Sequence, residues 1–133
     1  MRPIVAIAVL ALLVAGCGTT DDTAQARAVV ERFYDAVRHE DGTTACAQLT
    51  AAAAGAVESQ SGQPCASAIT RLRYEGGAVR RAEVYLTSAR VQLRSGESAF
   101  LDREPEGWRI SDVACRPLQG PPRRQPMECE AEA

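Results

Sequence analysis

Apolar residues change their spacing twice along this chain, and each change marks a different kind of element. Residues Ile4 to Ala15 are apolar without a break. Further on, Ala26, Val29, Val30, Phe33 and Val37 recur at helical spacing, while Glu31, Arg32, Asp35 and Arg38 fall largely on the other side. This predicts an amphipathic helix over about Thr23 to His39, with Asp22 or Thr23 as its cap and Gln25 placed for a capping box. His39-Glu40-Asp41-Gly42 ends it. A second helix is expected from Thr43 or Thr44, with Cys46, Leu49, Ala53 and Val57 as its apolar stripe. The run Ala51 to Ala54 has high helix propensity and little bulk, so a neighbour can approach closely. Ser59 to Gly62 reads as a loop, and Pro64 suits the first turn of a third helix carrying Cys65, Ile69 and Leu72. Gly76-Gly77 closes the helical half.

Beyond the glycine pair the period drops to two. Ala82, Val84 and Leu86 alternate with Arg81, Glu83, Tyr85 and Thr87, and Val91 and Leu93 alternate with Arg90, Gln92 and Arg94. Both segments read as half-buried strands. Ser95-Gly96 supplies a turn, Ser98 to Arg103 a third strand, Pro105-Glu106-Gly107 another turn, and Trp108 to Val113 a fourth strand. Short strands joined by tight turns imply an antiparallel meander. The expected fold class is α+β, with three N-terminal helices packed on an antiparallel sheet of about four strands. Residues Arg116 to Pro126 carry four prolines and read as an irregular arm.

Composition narrows the class. With 133 residues there is room for one domain, and 46% apolar with 24% charged residues is the balance of a globular chain. Much of the apolar share is Ala, so the core is light and the stability margin thin. The net charge of -2 argues against a nucleic-acid partner. The chain has no Asn, hence no N-glycosylation acceptor.

The opening segment has a chemistry of its own. Met1 and Arg2 form a short positive region, and the twelve apolar residues after Pro3 are too few to span a bilayer, which takes about 20. They fit the central region of a secretory signal. The segment ends in Leu13-Val14-Ala15-Gly16-Cys17, which resembles the lipobox of bacterial prolipoproteins. That resemblance implies a signal peptide over residues 1–16, cleavage before Cys17, and a lipid thioether with palmitate-type acyl chains on Cys17. Two or more acyl chains suffice for stable anchoring. The mature protein is then expected on the extracytoplasmic face of the cell membrane, with residues 17–22 as lipidated N-terminus and short flexible tether.

Export changes how the other cysteines read. Cys46, Cys65, Cys115 and Cys129 are even in number and would lie in an oxidising compartment. Three connectivities are possible. Cys46–Cys65 and Cys115–Cys129 are favoured because both are short-range, and the second would pin the arm back. No Cys-x-x-Cys occurs and the single histidine, His39, is seven residues from the nearest cysteine, so neither a metal site, a redox pair nor any cofactor is expected.

Three features together resemble the nuclear transport factor 2-like superfamily, which includes ketosteroid isomerases and polyketide cyclases. They are the helix Ala28-Val29-Val30-Glu31-Arg32-Phe33-Tyr34-Asp35-Ala36-Val37, the start Asp41-Gly42-x-x-Ala45-Cys46-x-x-Leu49 of the second helix, and the strand Gly107-Trp108-Arg109-Ile110. The chain is most similar to small secreted actinobacterial lipoproteins of that fold. The resemblance covers residues 23–115 and leaves 116–133 as a C-terminal arm. It implies a sheet curved into a cone around a pocket, which in the enzymes holds an inward carboxylate and a Tyr or protonated acid.

Candidates for such groups are Tyr34, Tyr85, Asp35, Asp102 and Asp112, but none pairs with another by context, so no catalytic residue is assigned. Tyr34 and Tyr85 read as amphipathic rim residues, Asp35 as part of a polar helix face, and Asp102 and Asp112 as solvated strand ends. His39 reads as a capping or solvated residue. The clusters Arg71, Arg73, Arg80, Arg81 and Arg123, Arg124 read as solvated surface, with contact to anionic headgroups as the alternative. The expected function is a lipid-anchored cell-envelope module, non-catalytic, binding a small apolar ligand or a protein partner. The alternative is an isomerase or cyclase acting on an apolar substrate, and a purely structural docking role stands third.

Overall fold

The computed structural model of the chain describes residues 19–118 and 127–133. The expected signal segment, the expected lipidation site Cys17, and Arg123 and Arg124 lie outside the described residues. The fold is α+β: helices occupy the first half and an open antiparallel sheet the second.

Helix α1, Thr19–Arg38, buries Ala26, Val29, Val30, Phe33, Tyr34 and Ala36, the stripe its spacing requires. It begins four residues ahead of the expected start, so part of the expected flexible tether is helical. Asp21 and Asp22 stand in its first turn, where carboxylates favour the positive end of the helix. Its C-terminus closes with Glu40 in the left-handed region at φ 57°, while the Asp41 N–H reaches back to the Ala36 carbonyl at 2.9 Å.

The expected second helix is broken in two. Helix α2, Gly42–Cys46, is capped by Asp41, whose carboxylate accepts from the Thr44 N–H at 3.0 Å. Helix α3, Ala51–Ser61, is capped by Thr50, whose hydroxyl accepts from the Ala53 N–H. The sheet makes the break between them. Thr50 donates its N–H to the Ile110 carbonyl at 2.9 Å, and Ile110 donates to the Gln48 carbonyl at 2.8 Å. These two bonds draw Gln48 to Thr50 out of helix and against a strand, and cyclic helical spacing at Leu49 gives no hint of it. The third helix is also shorter than expected: helix α4, Cys65–Ala68, passes into a 3-10 turn, Ile69–Arg71.

The sheet runs β1 (Val79–Val84), β2 (Ser88–Leu93), β3 (Ser98–Glu104), β4 (Gly107–Pro117), each antiparallel to the next. Ala89, Val91, Leu93, Ala99, Leu101, Trp108 and Ile110 are buried on the inner side of the sheet. Two elements were not foreseen. Strands β5, Met127–Glu128, and β6, Ala131–Glu132, both pair with β4, and Arg116 and Pro117 belong to β4, while residues 119–126 of the expected arm lie outside the described residues. Leu86 was expected on the inner face of the first strand. Instead β1 stops at Val84, Tyr85 donates to the Ser88 carbonyl at 2.8 Å, and Leu86 stands 93% exposed at the hairpin tip.

Two disulfides staple this light core. Cys46–Cys65 joins the end of α2 to the start of α4, and Cys115–Cys129 fastens the terminal segment to β4. Loops of 19 and 14 residues are each worth about 3 kcal/mol in the chain-entropy account. The α2–α4 contact has a second requirement. A Cβ at Gly42 would lie 1.8 Å from the Ala66 carbonyl oxygen, so the backbones pack where only glycine fits. Gly42→Ala is therefore expected to destabilise the oxidised protein by roughly 1–3 kcal/mol in urea denaturation, the usual range for overpacking. An unchanged midpoint would mean that α2 and α4 separate without cost.

Candidate functional site

The polar centre of the molecule is Glu97, in the turn between β2 and β3. Gly96 takes φ 98° and its N–H reaches the Leu93 carbonyl, while Leu93 donates to the Glu97 carbonyl at 2.8 Å. This closed turn fixes Glu97 with its side chain fully buried. A carboxylate in that position must find donors. Glu97 has four: the Tyr34 hydroxyl at 3.1 Å, the Glu75 N–H at 2.8 Å, the Gly76 N–H at 3.0 Å and the Arg116 guanidinium.

The four donors come from three separate parts of the fold. Tyr34 comes from α1, Arg116 from β4, and the two amides from the segment that links the 3-10 turn to β1. Gly76 has φ 61°, a backbone angle that favours glycine, and a Cβ there would lie 3.3 Å from the Tyr34 ring, a close contact. Tyr34, Phe33 and Tyr74 stack edge to face, with ring centroids 5.3 to 5.9 Å apart, and the Tyr74 hydroxyl donates to the Ile69 carbonyl at 2.8 Å.

Burial raises the Tyr34 phenol far above its ordinary value, and the adjacent Glu97 charge pushes it the same way. Burial likewise raises Tyr74, with Glu130 and Glu97 adding to the effect. At Arg116 burial works against the charge, but Glu97, Glu75 and Glu130 together more than offset it and hold the guanidinium protonated. Arg116 also donates to the Arg73 carbonyl at 3.1 Å and approaches Glu130 at 3.4 Å. Beside this cluster lies an open cleft of about 700 Å³, lined among others by Leu72, Tyr74, Arg116, Leu118, Glu128 and Glu130.

The five candidate residues do not converge. Tyr34, expected at a rim, is buried because it sits on the inner stripe of α1 and closes over Glu97. Tyr85 is exposed at the β1–β2 tip, at the other end of the sheet. Asp35 is exposed and paired with Arg38 at 2.6 Å, with His39 beside it. Asp102 is exposed on β3, and Asp112 accepts from the Ser111 hydroxyl at 2.7 Å. Glu97 and Arg116 escaped the sequence reading. An acid next to a turn glycine has the pattern of a solvated residue, and Arg116 sits at the start of a proline-rich stretch. Nothing local signals that the two meet 19 residues apart in sequence.

Among the described residues, no group of three or more His, Cys, Asp or Glu is placed to hold a metal ion, and no helix is long and apolar enough to cross a membrane. Comparison with protein-family models, with curated proteins and with solved structures finds no match to this chain.

The tyrosine environment sets an alkaline limit. An unfolded phenol ionises near 10.0, whereas Tyr34 and Tyr74 stay protonated well above that in the folded chain. Their contribution is complete below that pH and is lost as pH rises, because only the unfolded state releases the protons. The unfolding free energy is expected to fall by up to about 1.4 kcal/mol per pH unit for each of the two tyrosines. Tyr34→Phe should remove about half of that slope, measured by urea denaturation across the alkaline range. A flat profile would contradict the burial assigned to both phenols.

Proposed function

We propose that this chain is a lipid-anchored, extracytoplasmic module of the nuclear transport factor 2-like kind, held to the cell membrane through Cys17, and that it binds a protein partner without catalysis. The observation that carries the non-catalytic reading is the saturation of Glu97. A general base needs a lone pair facing substrate. Here the one fully buried carboxylate among the described residues accepts from four protein donors, and the tyrosine beside it is spent on the same contact.

The order of a long helix, short helices and an antiparallel sheet supports the superfamily reading. So do the register shifts beside Phe100, since bulges of that kind bend a sheet. The inner face of the sheet is covered by α1, which leaves the cleft at Arg116 as the candidate docking place. Its mixed lining of carboxylates, arginine, Leu72, Tyr74 and Leu118 suits a polypeptide better than a small apolar molecule. The isomerase or cyclase alternative needs two unengaged polar groups in one pocket, and no observation favours it.

Native mass spectrometry of protein extracted from its own membrane, with a denatured mass and crosslinking beside it, tests the reading. The expected result is a denatured mass of the chain cut before Cys17 plus lipid, no small-molecule increment in the native mass, and a crosslinked envelope protein. A discrete small-molecule increment would replace the partner reading with a ligand carrier. An uncut, unlipidated chain would refute the anchor.

A further inference from the structure

The exposed apolar residues of the β1–β2 tip stand at the end of the molecule where α1 begins. Tyr85 is 59% and Leu86 93% exposed, with half-buried Val84 behind them. The tip is fastened to the first turn of α1. Arg103 donates its N–H to the Thr87 carbonyl at 2.9 Å, its guanidinium pairs with Asp22 at 2.5 Å, and the same guanidinium lies over the Trp108 ring, 4.5 Å from its centroid. A groove lined by Asp22, Val84, Tyr85, Leu86, Thr87 and Arg103 runs between tip and helix.

We propose that Tyr85 and Leu86 form a second membrane contact, entering the headgroup region of the bilayer that holds the lipid on Cys17 and so fixing which end of the domain faces outward. The proposal rests on the lipid-anchor reading above. Only Gly18 separates Cys17 from the start of α1, two residue steps or at most about 7 Å of extended chain, and Asp22 lies only about 5 Å further along the helix. The tip bound to Asp22 is therefore held within reach of the headgroup layer, which is about 5–8 Å deep on each side.

Side-chain chemistry agrees with that depth. A tyrosine with an aliphatic neighbour is the pair that settles at a membrane interface, ring in the headgroups and hydroxyl wet. Charge does not drive the contact, because Glu104 at the end of β3 and Glu106 in the turn after it stand at the same end of the sheet. The occupant is thus a bilayer surface rather than an anionic lipid in particular. Arg73 and the Glu97 cluster lie at the opposite end, about 18 Å further along α1 from Asp22 to Tyr34, so the cleft would point away from the membrane.

The test uses the mature lipoprotein in phosphatidylcholine vesicles, with its denatured mass recorded first. Leu86→Trp places a reporter at the tip, and Arg94→Trp places one in the exposed turn at the far end of β2. The parent protein, whose Trp108 is buried, gives the background. With lipid brominated high on the acyl chains, emission of the tip reporter is expected to fall at least about twofold and to shift to the blue, as an interfacial indole does. The far reporter should be unaffected. Equal quenching of the two reporters, or none at either, would overturn the proposal while leaving the anchor intact if the mass carries lipid. A mass without lipid would overturn both.

Discussion

A carboxylate taken wholly out of water costs several kcal/mol unless its charge is met, and this fold is organised around meeting that of Glu97. The long helix brings Tyr34, the linking segment brings two amides, and the last long strand brings Arg116. None of these donors can move far without leaving the carboxylate unpaired. The interaction therefore sets where α1 lies on the sheet, how the chain turns at Gly76, and where β4 ends. The core could not fix these by itself, because alanines make up much of it and offer little surface to interlock.

The disulfides complete what the clamp begins. Cys115 is next to Arg116, so the bond to Cys129 holds the terminal strands beside the same residue that meets Glu97, and Glu130 of that segment adds its own charge to Arg116. Cys46–Cys65 does the equivalent work among the short helices, where α2 and α4 have five and four residues and could not persist alone. Charge and apolar exposure are arranged along one axis. The start of α1 and the exposed tip share one end of the molecule, and the charged cluster with its cleft occupies the other.

How far this could be read from the chain depended on the range of the interaction. The stripe of α1, the alternation of Val91 and Leu93, and the turns at Gly96 and Gly107 are local, and the α+β order followed from them. The short-range cysteine pairs were accessible for the same reason. What escaped were the places where a distant element overrides a local pattern. Ile110 pulls Gln48 to Thr50 out of a helical stripe, β4 recruits Ala131 into the core, and Glu97 acquires an environment that its neighbours Gly96 and Ser98 do not announce. Leu86 shows the converse: its alternation with Tyr85 continued a strand that the hairpin had already ended. The candidate site was the least legible part, because its donors come from three separate stretches of sequence.

The most direct measurement on this account is the stability of Glu97→Gln, which keeps the shape and removes the charge. Loss of about 3 kcal/mol or more in urea denaturation near neutral pH is predicted, since Arg116 would lose its closest anion and two amides and a phenol their acceptor charge. A variant as stable as the parent would contradict the account. It would mean that the carboxylate is not needed to hold the fold, and would return Glu97 and Tyr34 to consideration as groups kept for chemistry.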